Sequence, residues 1–104
     1  MQTFLSLYRF QRPVKGGGPA RFEVFKQLMQ KEGGKLLAFH GLLGPYDVMV
    51  LAQYPSARAA AKGASAVGNL IRAECTTMPA LEEGDFLTLL AELNAEAVDP
   101  ASIQ

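Results

Sequence analysis

The single histidine of the chain, His40, stands seven residues before Asp47 in "AFHGLLGPYDVMVLAQYP", with Gly44-Pro45 between them. A two-residue turn at Gly44-Pro45 sets Leu43 opposite Tyr46, Leu42 opposite Asp47 and His40 opposite Met49. Asp47 is then the diagonal neighbour of His40, about 7 to 8 Å away between backbones and within side-chain reach. A carboxylate accepting from one ring nitrogen fixes the tautomer and raises the basicity of the other, which makes a general base. That would suit a cofactor-free enzyme on a small carbonyl or aromatic substrate, with His40 as base and Asp47 orienting it. The competing reading is structural: Asp47 bonds backbone groups near the turn while His40 packs in an interface. The sequence places no nucleophile or oxyanion hole beside the pair, and the structural reading is preferred.

Two other stretches invite chemistry. In "KGGGPARF", the glycines Gly16 to Gly18 lead into a helix start flanked by Arg12, Lys15 and Arg21, a setting in which backbone N–H groups hold anions. It is neither a dinucleotide fingerprint nor a P-loop, and a surface loop is the plainer reading. In "PSARAAAKGASAV", a helix from near Ser56 carries small residues over most of its surface. Either a gap remains above the sheet, an apolar pocket lined by Tyr46, Tyr54, Ala60 and Ala64, or the helix simply lies closer. Cys75, the lone cysteine, is expected in the core and inert. One histidine and one cysteine on opposite expected faces do not make a metal site, and no cofactor is called for.

The elements that must position these residues follow from periodicity and turn chemistry. Gln2 to Phe10 alternates as a strand, and Pro19 to Lys31 reads as a helix stopped by Gly33-Gly34. Lys35 to Leu43 and Tyr46 to Tyr54 form a hairpin, and Ala57 to Val67 is the thin helix. Asn69 to Met78 reads as a fourth strand ended by Pro79. A last helix follows in "EEGDFLTLLAELNAEAV", with acids in its first turn and Phe86, Leu89, Leu90 and Leu93 on one stripe. This is an α+β chain of ferredoxin-like βαββαβ order, with a four-stranded antiparallel sheet and a C-terminal helix. The 104 residues fit one domain, taken as 1–98, with a loose tail over 99–104.

Alternation along the strands then assigns faces. Leu37, Phe39, Gly41, Leu43, Tyr46, Val48, Val50 and Ala52 should lie under the helices. The other face should carry Leu36, Ala38, His40, Leu42, Asp47, Met49, Leu51 and Gln53, joined by Phe4, Ser6, Tyr8, Arg72 and Glu74. That second face is too apolar for water and the chain has no strands left to cover it. A second copy would, so the expectation is a homodimer closed sheet to sheet as a dimeric α/β barrel. Tyr8, Met49, Leu51, Arg72 and Glu74 form its seam.

Charge and composition narrow the partners. Ten basic and ten acidic residues cancel, no acid precedes Glu23, and no base follows Arg72. A neutral chain with an acidic final third is a poor nucleic-acid binder, and the asymmetry reads as complementary packing within or between copies. With one cysteine, no basic leader before the first apolar residues and no apolar run near the ~20 residues of a membrane span, the expected setting is cytoplasmic.

"GPYDVMV", followed by a Pro-led alanine-rich helix and then "VGNLIRAECT", resembles the GYD-domain family, with its Gly-x-Tyr-Asp hairpin and later Gly-Asn. Here these residues are Gly44, Tyr46, Asp47, Gly68 and Asn69, and the likeness runs from about Thr3 to Phe86. The resemblance implies the dimeric α/β barrel and supports a homodimer, but it brings no activity. Three functions therefore stand: a small-molecule-binding or sensor dimer, the His40/Asp47 enzyme, and a purely structural dimerisation module.

Overall fold

The computed structural model describes residues 1–11 and 18–96. The elements run β1 (Gln2–Phe10), α1 (Gly18–Lys31), β2 (Lys35–Gly41), β3 (Val48–Tyr54), α2 (Ala57–Ile71), β4 (Ala73–Pro79) and α3 (Glu83–Glu96). The four strands form one antiparallel sheet in the order β2-β3-β1-β4, which with α1 and α2 gives the expected ferredoxin-like arrangement. No helix among the described residues is long and apolar enough to cross a membrane.

Local chemistry explains the helix ends. Pro19 sits in the first turn of α1, where a missing N–H leaves no bond unmade. Past Lys31 the chain turns at Gly33, whose φ of +77° suits glycine, while the Gly33 and Gly34 N–H groups donate to the carbonyls of Gln30 and Met29. Helix α2 starts under a Ser56 cap, its hydroxyl accepting from the Ala59 N–H at 3.1 Å. It ends at Arg72, a left-handed residue with φ +52° whose N–H donates to the Gly68 carbonyl.

That last cap corrects the sequence reading. Asn69 to Ile71 is the final turn of α2, not the start of a strand, because Leu70 and Ile71 continue the helical face that packs on the core. Arg72 is thus a cap residue, and β4 begins only at Ala73.

The core lies between the sheet and α1/α2, built on Phe4, Tyr8, Phe25, Met29, Val50, Ala52, Tyr54, Ala60 and Val67. Phe4, Ser6 and Tyr8 therefore face the helices, opposite to the expectation, and Thr3, Leu5, Leu7 and Arg9 take the other face. In β2 an irregularity between Leu36 and Ala38 pairs Leu36 with Ala52 and packs it on the core. Leu37, expected in that core, is 43% exposed, and Leu43 at the turn is fully exposed. Beyond this bulge the expected hairpin register holds, with His40 opposite Met49 and the Leu42 N–H donating to the Asp47 carbonyl at 2.8 Å.

Helix α3 carries its apolar stripe as expected but buries no residue and, among the described residues, packs on no other element. The radius of gyration, 17.7 Å, is well above the roughly 13 Å of a compact chain this long.

Candidate functional site

The turn from β2 to β3 is clamped to β1 by two residues. Asp47 donates its N–H to the Tyr8 carbonyl at 2.8 Å, and its carboxylate accepts from the Phe10 N–H at 2.8 Å. Its own carbonyl takes the Leu42 N–H, so one residue ties β1, β3 and the end of β2 together. Arg9 supplies the second fastening: its Nε donates to the Pro45 carbonyl at 3.0 Å, and its guanidinium lies 5.6 Å from the centre of the Tyr46 ring. Gly44 between them has a φ of +154°, which side chains rarely adopt. His40 lies exposed beyond this clamp, and the bond made by the Asp47 carboxylate is to backbone.

The thin helix lies close to the sheet. Tyr54 stands between Gly34 and Gly63, and a Cβ at either glycine would come within 2.6 to 2.8 Å of the Tyr54 ring or hydroxyl. Small residues thus let α2 and the α1–β2 turn close around a buried ring. Burial raises the Tyr54 phenol above its ordinary pKa, with Cys75 and Glu32 adding to the effect. Ala60 and Ala64 are buried on the same helix, and the Ala64 carbonyl accepts from the Tyr8 hydroxyl at 3.2 Å. Tyr8 is only 1% exposed, and burial, with Cys75 beside it, pushes its phenol far up, so it stays a neutral donor.

A cavity of about 140 Å³ opens at the other end of α2. Gly18, Arg21, Phe22 and Phe25 of α1 form one wall, Val67 and Ile71 of α2 a second, and Tyr8, Phe10, Phe39, Val48 and Val50 of the sheet the floor. Phe22, Phe25 and Phe39 pack as a triangle with ring centres 5.0 to 5.5 Å apart, and Phe39, on the edge strand, remains 42% exposed. Short valines opposite long rings leave the space unfilled. Arg21 is the one charged residue of the lining and makes no ion pair among the described residues. Of the four residues expected to line a pocket, Tyr46, Tyr54, Ala60 and Ala64, none borders this cavity. The pair Phe22 and Phe25, three apart on α1, was the available signal. Together with Phe39, already assigned to the helix-covered face, it marked this end of the core.

The uncovered face of the sheet carries Met49 and Leu51 as expected, with Leu5, Leu7, Met78 and Glu74 beside them. Tyr8 and Arg72, also assigned to the seam, are not on it: Tyr8 faces the helices and Arg72 caps α2. Cys75 faces the core, its sulfur 3.2 Å from the Thr77 hydroxyl, which in turn meets Ser6 at 2.8 Å. Among the described residues no three of His, Cys, Asp and Glu converge as metal ligands. The loop expected to hold an anion lies, over 12–17, outside the described residues, as does the 99–104 tail.

No curated protein matches the chain. The family model described as GYD domain matches residues 8–90, a span that takes in the Asp47 clamp, both core helices, the cavity and the first half of α3. With that match over most of its length, the chain belongs to the GYD domain family.

Proposed function

We propose that this protein is a small-molecule-binding homodimer of the sensor type, whose ligand occupies the cavity between α1, α2 and the sheet. The observation that carries the proposal is the cavity itself, with an apolar lining in which Arg21 is the one charged residue. Its volume is close to the ~150 Å³ of engineered apolar cavities that take up benzene. The fitting ligand class is a single-ring or short-chain apolar molecule whose acid group meets Arg21.

The homodimer rests on the open sheet face, where Leu5, Leu7, Met49, Leu51 and Met78 are only half-buried and, among the described residues, no element lies over them. A second copy of that face supplies the missing layer at the spacing of packed sheets. A cytoplasmic setting belongs to the same proposal, since a lone thiol asks for no oxidising compartment. The His40/Asp47 base gains no support from the geometry, because the carboxylate already holds the Phe10 N–H.

Methyl NMR of the protein titrated with benzene and with benzoate tests the ligand site. Shifts should concentrate on Val48, Val50, Val67 and Ile71. Arg21→Ala should weaken benzoate by about tenfold while leaving benzene unchanged. Shifts scattered over the surface, or equal effects of the substitution on both probes, would remove the cavity from the account.

A further inference from the structure

Five of the residues that line the cavity carry aromatic rings: Tyr8, Phe10, Phe22, Phe25 and Phe39. Rings attract one another beyond their burial when they are offset or tilted with centres about 4.5 to 7 Å apart. Phe22 and Phe25 lie nearly parallel, at 18° and 5.4 Å, while Phe39 crosses them at 60° and 58°, with centres 5.0 and 5.5 Å away. Rings held at such mixed angles can take a guest ring by its edge or by its face, which a saturated guest does not offer.

The five rings differ in what holds them. Tyr8 and Phe25 are buried in the core, and Phe10 and Phe22 pack against it. Phe22 also has the Lys26 ammonium 5.2 Å from its ring centre, and that lysine is paired with Glu23 at 2.8 Å. Phe39, on edge strand β2, keeps 42% of its surface free. Its place depends on the irregularity at Leu37. In an unbroken strand Leu36 and Phe39, three apart, fall on opposite faces. Here Leu36 pairs with Ala52 and Phe39 with Val50, both core residues, so the extra residue lets both side chains turn to the helices. Leu36 packs on the core, and Phe39 is thereby aimed at the cavity.

We propose that Phe39 is the specificity-determining residue of the cavity, and that it selects a small aromatic ring over a saturated ring or chain. The inference narrows the ligand class proposed above and rests on the cavity being a binding site. One ring pair of ordinary strength corresponds to roughly 2- to 12-fold in affinity.

Benzyl alcohol and cyclohexylmethanol, which share a hydroxymethyl group and differ in the ring, test this by methyl NMR of Val48, Val50, Val67 and Ile71. The parent should hold benzyl alcohol about 5-fold more tightly. Phe39→Leu should bring the two affinities within about 2-fold of each other, whereas Phe39→Tyr, which retains the ring, should keep the preference. In the parent, nuclear Overhauser effects should join the benzyl alcohol ring to the Phe39 ring, a readout that needs no variant. A parent without the preference, a preference that survives Phe39→Leu or is lost in Phe39→Tyr, or a bound benzyl alcohol with no such effect, overturns the role of Phe39 and leaves the cavity a site. Neither alcohol shifting the cavity methyls overturns both.

Discussion

Asp47 shows how a residue that could serve catalysis serves the fold instead. Its three polar groups each hold a different backbone partner, from Tyr8, Phe10 and Leu42, and Arg9 pins Pro45 and Tyr46 beside it. Gly44, Tyr46 and Asp47 thus fasten a hairpin to the central strand. Gly68 has a similar part, because a Cβ there would come 3.2 Å from the Ala73 carbonyl where α2 meets β4. Asp47→Ala leaves the Phe10 N–H without its acceptor and should lower stability by about 1.5 to 3 kcal/mol. Asp47→Asn keeps an acceptor oxygen and should cost less. His40→Gln, at an exposed position, should stay within about 0.5 kcal/mol of the parent. Urea midpoints of the three variants check this, and a His40→Gln loss matching that of Asp47→Ala would show that the two residues act together.

The closeness of α2 to the sheet depends on Gly63 and Gly34, which receive the Tyr54 ring between them. Alanine at 63 gains roughly 1 kcal/mol of helix propensity but forces the ring out of its place, at about 1 to 3 kcal/mol. Thermal melts should therefore show Gly63→Ala less stable than the parent. Gly84→Ala meets nothing within 4 Å and should be tolerated. The same elements show what was legible in advance. Turn residues and caps made α1 and the β2–β3 register readable, since Gly33-Gly34 and Gly44-Pro45 act locally. The phase of β1 was not readable: Phe4 and Tyr8 make one apolar row, Leu5 and Leu7 another, and only tertiary packing decides which meets the helices. The end of α2 was hidden because Leu70-Ile71 suits a strand equally well and a left-handed Arg72 leaves no mark in the sequence. The bulge at Leu37 and the cavity arise from how elements meet, so no single stretch announces them.

Among the described residues, the molecule is a closed two-layer core with two surfaces left over, the open sheet face and the stripe of α3. Both are apolar, and the C-terminal helix carries acids and no base. A single copy leaves these surfaces in water, and the homodimer proposed above covers the sheet face with a second copy of itself. Native mass spectrometry of the protein purified without refolding, beside a denatured control, examines assembly and ligand together. It should show a species at twice the chain mass of 11.2 kDa, carrying a small-molecule mass that denaturation releases. A monomer, or a bare dimer that takes up neither benzene nor benzoate when they are added, would contradict a ligand-binding homodimer.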